Sequence, residues 1–493
     1  MSNAKTISGH ISFMFILVGL LAGCAVGPDF KRPTTLDVAA YTATPLPAQT
    51  VSAPTPLGES QRFIEGGLVN SQWWHELGSP KLNTLINDAL QASPTLARSQ
   101  ATLRQAQELY TAQAGSTLYP QVDASLGSQR QQSNPSTLGQ VGDAQEFSLY
   151  NASVGVHYKL DLVGGTRRAL EAQAANVDYQ RYQLEGARLT LAANIVTAAV
   201  TQARMAAQIQ ATEAIFDSQE EQLGLTQERV RLGQTATDDV LALQTLVEQT
   251  RATIPLLRNQ LQQNEHLLAV LAGQAPGAGG LPSFSLQEFT LPTDLPLTVP
   301  SELVRTRPDI QAAEAMLHSA NAEYGVAIAK LYPQLNLSAN LGSQALTTGA
   351  LFGSGSAIWS LVGQLTQPLF NPGLPAEKRA ALAAFDAAAA NYRNVVLESL
   401  RNVADVLRAL DNDAQRLTAL SAADTAAQGS LESMQRQYTL GAASYTQLLI
   451  AQQQSQQTRI NLIEAQAKRL VDCAALYQAM GGGRSSGEKT AAK

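Results

Sequence analysis

The sequence predicts an α+β membrane protein in which each of three copies contributes four strands to a 12-stranded β-barrel, continued by a long α-helical barrel. Three observations predict this architecture. Segments of the first half recur in the second half, four runs alternate between apolar and polar residues, and two helical stretches extend for about 67 residues each. Together they indicate two similar halves, each with a pair of β segments and several long helices.

The recurrence indicates a tandem structural repeat. Leu118–Gln121 and Leu331–Gln334 have the same sequence 213 residues apart, and Arg231–Gly233 matches Thr439–Gly441 at an offset of 208 residues. Solenoid repeats are much shorter, about 20–50 residues. The duplication therefore predicts two halves of one structure rather than a stack of small units.

The amino terminus has the pattern of a secretory signal. Lys5 precedes an apolar stretch, Ile11–Leu21, that is shorter than the about 20 residues needed to span a bilayer. The stretch closes on Leu21–Cys24, a pattern typical of bacterial lipoprotein signals, so Cys24 is the predicted site of a diacylglycerol thioether and an N-acyl chain. Ala25 at the next position favours the outer membrane, by analogy with lipoprotein sorting. The alternative is a structural cysteine after an ordinary signal peptide.

A proline-rich stretch separates this signal from the body of the chain. Five prolines lie between residues 33 and 60, and they predict an extended linker without a core of its own. The remaining boundaries follow the repeat. The predicted parts are a lipoprotein signal peptide (1–23), a lipidated N-terminus and linker (24–60), a first repeat (61–273), a connecting segment (274–299), a second repeat (300–482) and a tail expected to be disordered (483–493).

Four runs of residues alternate between apolar and polar with a period of two. The predicted strands cover about residues 121–129, 152–161, 334–342 and 359–370. Runs of about ten residues with this pattern are typical of transmembrane β-strands, apolar toward lipid and polar toward a lumen. A half-buried strand of a soluble sandwich has the same pattern. The signal sequence and the aromatic residues Tyr158, Trp359 and Phe370 near strand ends favour the membrane.

Four strands cannot close a membrane barrel by themselves, since the smallest such barrels have about eight. An open sheet edge in lipid would leave backbone hydrogen-bonding groups without partners. The chain must therefore assemble with copies of itself. Two copies would give eight strands and a lumen filled by side chains, whereas three copies give twelve strands and room for water. The prediction is a homotrimer.

The helical stretches are much longer than average helices. Thr166–Leu232 and Leu374–Leu440 each span about 67 residues, or about 100 Å at 1.5 Å per residue. Each is followed by a turn and a return helix, Thr235–Leu271 and Ser444–Met480, so that each half predicts an antiparallel helical hairpin. The alternative is that either stretch is broken into shorter helices. Abundant glutamine, threonine and asparagine suit a wetted inner face.

The turns at the two hairpin tips carry signals that end one helix and start the next. Gly233 and Gly441 are placed for the left-handed conformation that ends a helix. Two residue pairs predict capping boxes that start the return helices: Thr235 with Asp238, and Ser444 with Gln447. The tip residues either only turn the chain or also form a docking surface for a partner. The candidate docking residues are Leu232, Gly233, Gln234, Leu440, Gly441 and Ala442.

Several motifs together carry a resemblance to one family. They are Cys24–Pro33 after the signal, Trp73-Trp74, Pro300–Val304, Arg307–Ile310 and Tyr332-Pro333 before the third strand. Over residues 20–482 the chain resembles the TolC-like outer-membrane efflux channels, in particular their lipoprotein branch. The resemblance implies a homotrimer with a β-barrel in the outer membrane of a Gram-negative bacterium, a tapering α-helical barrel in the periplasm, and a mixed belt around its middle.

The resemblance also implies partners and a function. A periplasmic adaptor and an inner-membrane pump would work with the channel to expel toxic small molecules or drugs, while the channel itself is passive and not an enzyme. Outer-membrane lipid would surround the barrel and receive the acyl chains of Cys24, and no other cofactor is implied. Two rival functions stay open: a structural tether in the outer membrane, and an exit duct for secreted peptides or proteins.

The residues that close the periplasmic end depart from the pattern of this family. Many relatives carry an aspartate and an arginine on the return helix after the second tip, where this chain has Ile450 and Gln453. The closed tip is then held either by apolar packing that includes Tyr438 or by charges on the first hairpin. The charged candidates are Arg229, Arg231, Asp238 and Asp239. An exposed charge pair contributes only about 0–1 kcal/mol, so several would be needed.

Composition argues against other classes of partner and activity. Charged residues make up 15% of the chain, against about 25% in a typical soluble protein, and the net charge is −6. Without a basic patch, nucleic acid is not an expected partner. The five histidines are scattered without metal-ligand spacing and are expected to be isolated polar side chains. The sequence contains no recognisable catalytic constellation, and Cys473 is expected to be a small buried hydrophobe.

Overall fold

A computed structural model of the chain describes residues 25–34, 40–67, 69–134 and 143–483. The predicted signal peptide, Cys24 and most of the predicted tail lie outside these residues. Packing divides the chain into two compact units. The first comprises residues up to 33, 102–181 and 312–392, and the second comprises 34–101, 182–311 and the residues from 393 onward. Each unit takes segments from both predicted repeats, and the repeat boundaries remain predictions.

The described elements follow the predicted order of helices and paired strands. In chain order they are β1 (Arg62–Glu65), α1 (Pro80–Ala92), α2 (Pro94–Leu118), β2 (Gln121–Ser133), β3 (Gln145–Leu160), α3 (Gly165–Arg231), α4 (Thr237–Leu271), β4 (Asp294–Leu297), α5 (Pro300–Thr306), α6 (Pro308–Ala329), β5 (Gln334–Ala345), β6 (Ala357–Thr366), α7 (Gly373–Thr439) and α8 (Tyr445–Ala479). Short 3-10 helices occupy Trp73–Leu77, Pro276–Ala278, Leu286–Glu288 and Thr348–Ala350.

The first unit contains a four-stranded antiparallel sheet in the order β2-β3-β5-β6. Each of the four predicted strands is present, and the first three are longer than predicted. The fourth prediction was wrong at its end, because β6 stops at Thr366 while Leu369 and Phe370 lie beyond it and are exposed. Pro368 explains the stop, since proline has no N–H to donate to the ladder. Within the described chain, β2 and β6 each pair on one side only.

The long helices are continuous. Both α3 and α7 contain 67 residues, which corresponds to about 100 Å, so the alternative of several shorter helices is excluded. Their return helices, α4 and α8, contain 35 residues each. Among the described residues, no helix has a stretch that is both long enough and apolar enough to cross a bilayer.

In the second unit, the segment predicted to be a linker is held more firmly than its composition suggests. Thr50 and Leu57 are buried, although no helix runs through this part of the chain. The strand that follows, β1, pairs in parallel with β4. Next along the chain, Trp73 stacks on Tyr477 of α8 with 5.2 Å between ring centroids. Residues 40–67 and 69–77 therefore belong to the packed structure around α8.

A buried arginine holds this segment in place. Arg469 of α8 is 1% exposed and donates to the backbone carbonyl oxygens of Leu57 and Glu59 at 3.1 and 2.9 Å. It also donates to the side-chain oxygen of Gln61 at 2.6 Å. Burial lowers the pKa of the Arg469 guanidinium. Burying a charge is costly unless protein groups replace its hydrogen bonds to water. These three oxygens accept such hydrogen bonds from Arg469 and so offset the cost of burying its guanidinium.

The neighbouring side chains of α8 are buried with Arg469. Cys473 is fully buried, as the sequence predicts, and its Sγ lies 3.1 Å from Nε2 of Gln61. Burial raises the pKa of the Cys473 thiol to about 12, so the thiol stays protonated and unreactive. Burial also raises the pKa of the Asp472 carboxyl, while the adjacent ammonium of Lys468 opposes that shift.

We expect Arg469→Met to release the buried segment. The substitution keeps an apolar stem but leaves the carbonyl oxygens of Leu57 and Glu59 without their donor, which should cost about 3 kcal/mol. The measurements are the apparent Tm of the detergent-solubilised protein and the rate of proteolysis within residues 40–60. Arg401→Met is the matched control, because Arg401 is exposed and its ion-pair partner among the described residues is Glu398, one turn away on the same helix. Equal behaviour of the two variants would contradict the anchoring role.

Candidate functional site

The register of the sheet in the first unit gives it two chemically different faces. Directly opposite residues of antiparallel strands share a face. One apolar row contains Val122, Val156, Ala339 and Leu361, and the next contains Ala124, Val154, Leu341 and Trp359. A row of the other face contains Asp123, Gly155, Asn340 and Ser360. The predicted alternation is therefore a property of the whole sheet and not of single strands.

The apolar face is exposed on the described chain. Leu126, Trp359 and Leu361 are 80%, 79% and 76% exposed. A contiguous exposed apolar surface is typical of a region that contacts a membrane or another protein. On the polar face, the hydroxyl oxygens of Ser125 and Ser153 lie 2.9 Å apart and form a hydrogen bond across the strands.

The apolar rows cover a length of strand that fits a membrane. On β3 this face extends from Tyr150 to Leu160, which is about 33 Å at about 3.3 Å per residue. A tilt of about 45° reduces the height to about 23 Å, close to the apolar band of about 25 Å in membrane barrels. Tyr150 and Tyr158 lie near the two ends of the band, where aromatic girdles occur. Beyond it the same face is polar and carries an ion pair between Arg130 and Glu146 at 2.7 Å.

The residues that follow Cys24 pack against the junction between β3 and α3, also in the first unit. The backbone N–H of Val26 donates to the carbonyl of Val163 at 2.8 Å. Arg168, which is buried near the start of α3, donates to the carbonyl of Val26 at 3.2 Å and to the carboxylate of Asp29 at 2.6 Å. The segment next to the predicted lipid site is therefore fixed beside the carboxyl end of β3.

One histidine takes part in this packing, contrary to the expectation that all five are isolated. His318 Nε2 lies 2.8 Å from Glu171 Oε1, and the imidazole stacks on Phe30 with 4.3 Å between ring centroids. Burial raises the pKa of the Glu171 carboxyl, but hydrogen bonds from Arg168 and His318 outweigh burial and the net shift is downward. In the described ranges, no group of His, Cys, Asp and Glu side chains is arranged to hold a metal ion.

The two hairpin tips, which belong to the second unit, end their long helices with the same backbone geometry. Gly233 and Gly441 have φ values of 70° and 74°, as predicted. The N–H of Gly233 donates to Val230 at 2.9 Å and the N–H of Gln234 donates to Arg229 at 2.8 Å. The matching bonds of the second tip join Gly441 to Tyr438 and Ala442 to Gln437. Both ends are Schellman motifs, in which glycine supplies the left-handed residue.

The return helices start differently at the two tips. At the second tip, the Ser444 hydroxyl accepts from the N–H of Gln447 and the Gln447 side chain accepts from the N–H of Ser444, which confirms the predicted capping box. At the first tip, the capping box predicted for Thr235 was wrong. The N-cap is Ala236, one residue later, and the Thr235 hydroxyl donates to the carboxylate of Asp239 instead.

The candidate docking residues are at the surface of the second unit. Leu440 is 83% exposed, and Leu232 at the other tip is exposed as well. The flanking glycines and the residues that follow them, Gly233, Gln234, Gly441 and Ala442, are exposed too. Each tip therefore presents a leucine beside a backbone turn that no side chain covers.

A cluster of apolar side chains joins the two hairpins close to their tips. Its buried members are Leu243 and Val247 of α4 with Tyr445 and Leu448 of α8. Partly buried residues of α3, α7 and α8 surround them: Phe216, Leu223, Leu431, Met434, Tyr438 and Leu449. We call these residues the tip cluster. It provides the apolar packing around Tyr438 that was one of the two alternatives for holding the tip.

The candidate gate residues fall into two groups. Tyr438 is central to the first, because its ring centroid lies 5.3 Å from Cζ of Arg229 and 5.6 Å from the ring of Tyr445. The remaining candidates are not brought together. Arg231 pairs with Glu228 on its own helix, Asp239 accepts from Thr235, and Asp238, Ile450 and Gln453 are exposed. Within one chain the charges of the first hairpin therefore do not form a ring.

Buried amide side chains lie between the hairpins beside the tip cluster. Gln452 of α8 donates a hydrogen bond to Gln222 of α3. One helical turn along α3, Gln219 is buried, and neither polar atom of its side chain has a hydrogen-bond partner in the described part of the chain. An unpaired buried polar group costs about 1–3 kcal/mol. The interface between the hairpins is therefore weaker here than at the tip cluster.

Sequence reasoning missed most of these interior residues. Leu243 and Val247 have the helical spacing of a buried face, which could have been found by periodicity. Gln219 and Gln452 carry no such signal, because glutamine is normally a solvated residue. Their burial follows from packing between segments more than 200 residues apart, as the bond between Gln222 and Gln452 shows.

A sheet with one exposed apolar face, joined to long paired helices with turn-bearing tips, defines a channel-forming protein of the membrane. The family profile described as outer membrane efflux protein matches residues 85–274 and 299–482. The chain belongs to the outer membrane efflux protein family. It is therefore an outer-membrane efflux component, which confirms the predicted family and removes the structural tether as an alternative.

Known relatives agree over nearly the whole chain. The solvent efflux pump outer membrane protein SrpC of Pseudomonas putida is 29% identical over 96% of this chain and 98% of its own. The pyoverdine export outer membrane protein OpmQ of Pseudomonas aeruginosa is 29% identical over 88% of this chain and 94% of its own. The solved structure of the outer-membrane channel OprN has a TM-score of 0.83 at 27% identity, covering 93% of this chain and 99% of that one. These matches confirm the predicted fold class.

We expect Leu448→Ala to loosen the contact between the hairpins without unfolding the sheet. Leu448 is fully buried in the tip cluster, and truncating a buried leucine costs about 2–5 kcal/mol. Hydrogen exchange should accelerate in the first turns of α4 and α8 and stay unchanged in β3 and β5. Leu440→Ala is the matched control, because Leu440 lies at the same tip and is exposed. Unchanged exchange in Leu448→Ala would show that the cluster does not hold the hairpins together.

Proposed function

We propose that three copies of this chain form a passive exit duct that crosses the outer membrane and receives toxic small molecules from a pump. The observation that carries the proposal is the two-faced sheet with an unpaired strand at each edge. An unpaired edge is not stable in lipid, and pairing β6 of one copy with β2 of the next closes the sheet. Three copies give twelve strands and a water-filled lumen.

The proposed partners follow from the family and from the functions of its known members. Curated relatives are named as outer membrane proteins of solvent, toluene and antibiotic efflux pumps and of pyoverdine export. By this analogy the chain works with an inner-membrane pump and a periplasmic adaptor, and it accepts small organic molecules. The protein does no chemistry on its cargo and needs no cofactor for transport. The exposed leucines of both tips support docking of the adaptor there.

We further propose that the tip cluster, with Tyr438 over Arg229, holds the periplasmic end closed. The support is that this contact joins the last turns of α3 and α7 with the first turns of α4 and α8. Ile450 and Gln453 are exposed on the single chain. Any role of these two residues in closing the channel therefore depends on contacts with neighbouring copies. In Leu448→Ala, a higher single-channel conductance is the expected consequence of this role.

We also propose that lipid attached to Cys24 anchors each copy in the membrane beside the barrel. The segment that follows Cys24 is fixed at the carboxyl end of β3 through Val26, Asp29 and Arg168. That end lies at one limit of the apolar rows, so acyl chains on Cys24 would enter the leaflet beside the barrel. Acyl chains contribute about 0.8 kcal/mol per buried methylene, which would strengthen the attachment of each copy to the membrane.

Photo-crosslinking in living cells tests the partner assignment. A benzophenone amino acid in place of Ala442, which is exposed at the second tip, should capture a periplasmic adaptor that mass spectrometry identifies. The same amino acid in place of Glu464, which is exposed about five turns along α8 from the tip, is the matched control and should capture less. An assembled protein that captures no adaptor from Ala442 would contradict docking at the tip. Capture of an adaptor dedicated to peptide secretion would redirect the cargo assignment.

Substitution of the lipid site tests the anchor separately. Cells grown with an alkynyl palmitate analogue should label the wild-type protein, whereas Cys24→Ala should remain unlabelled because it lacks the thiol that forms the diacylglycerol thioether. Cys473→Ala is the matched control and should keep full labelling, since Cys473 is buried and protonated. Equal labelling of Cys24→Ala and the wild type would place the lipid elsewhere.

A further inference from the structure

The polar face of the sheet carries very little charge. Of the four described strands, this face presents alternate residues of β2, β3, β5 and β6, and nearly all of them are uncharged. Its titratable residues are Asp123 on β2 and His157 and Lys159 on β3. On β5 and β6 the residues of this face are amides, hydroxyls, glycine and aliphatic side chains. The electrostatic character of the face therefore depends on three side chains.

These three side chains are neighbours in the register. Asp123 is directly opposite Gly155, and His157 is two residues further along β3, followed by Lys159. A Cβ atom on Gly155 would lie 3.3 Å from Nε2 of His157. The imidazole therefore leans over the glycine toward the row that contains Asp123. Gly155 leaves the space for this orientation, since any side chain there would press against the ring.

The charges of Asp123 and Lys159 cancel, so the net charge of the polar face depends on whether His157 is protonated. One carboxylate and one ammonium per chain sum to zero, and a protonated imidazole adds one positive charge. Histidine is the side chain that changes its charge between about pH 5 and pH 8. Around His157, the groups on the same face of the neighbouring strands are Asp123 and Gln121 on β2 and Asn336, Ser338 and Asn340 on β5. On β6, the nearest residues are Ser360, Val362 and Gln364.

We propose that His157 is the residue that sets the ion selectivity of the membrane pore and makes it depend on pH. This inference rests on the proposed function, since it takes the polar face as the wall of a lumen formed by three copies. Rings of charged side chains in a pore wall determine which ions pass. With neutral imidazoles the strand section has no net charge, and with three protonated imidazoles it has three positive charges. Acidification therefore shifts the pore toward anions.

Two substitutions of His157, one neutral and one permanently charged, test the proposal in planar lipid bilayers. The ratio of potassium to chloride permeability is measured from reversal potentials in a gradient of potassium chloride at or below about 0.1 M, where the screening length is about 10 Å or longer. In the wild type the ratio should fall on the order of twofold between pH 8 and pH 5.5. His157→Asn should keep the ratio of the wild type at pH 8 throughout, and His157→Lys should show the lower ratio at both pH values. At about 1 M salt, where screening acts within about 3 Å, the differences should vanish.

Cysteine accessibility checks the orientation independently. A membrane-impermeant charged thiol reagent should change the conductance of His157→Cys and leave Tyr158→Cys unaffected, because adjacent strand residues point to opposite faces. If His157→Asn keeps the full acid shift of the wild type, the titrating group lies elsewhere and the inference fails while the channel stands. If neither the wild-type protein nor Leu448→Ala, in which the tip cluster is loosened, conducts ions, the proposed duct fails and this inference fails with it.

Discussion

The hydrogen bonds of two strand edges are the constraint on which the rest of the structure depends. Each chain supplies a sheet in which β2 and β6 pair on one side only. Lipid offers no partner to a backbone N–H or C=O, so the sheet must be closed by other copies. In the proposed trimer, closure gives six hairpins, two from each chain. The second half of the chain supplies one of these two hairpins, α7 with α8.

Anchoring of irregular segments by buried arginines occurs in both units. In the first unit, Arg168 binds the backbone and carboxylate of the residues after Cys24. In the second unit, Arg469 binds the carbonyl oxygens of the segment before β1. A guanidinium has five N–H donors and so replaces several missing backbone partners at once. Segments without secondary structure of their own are thereby kept in fixed positions beside helices.

Much of the fold was predictable because its signals are local. A period of two marks the strands, and the absence of interior breakers marks α3 and α7. The capping box at Ser444 was predictable for the same reason. The one at Thr235 was not, because Ala236 carries no cap signal and the competing bond to Asp239 depends on rotamers. The burial of Gln219, Gln452 and Arg469 arises from contacts between distant segments, for which composition gives no indication.

The two hairpin tips have the same backbone turn but start their return helices with different side chains. Both long helices end in the same Schellman bonds around Gly233 and Gly441, because a reversal of the backbone needs a residue with positive φ at that point. The side chains that start the return helices differ, since many residues can begin a helix. The backbone geometry of the two tips is therefore equivalent. Side chains are left free to specialise, and Tyr438 and Arg229 on different hairpins can meet as unlike partners.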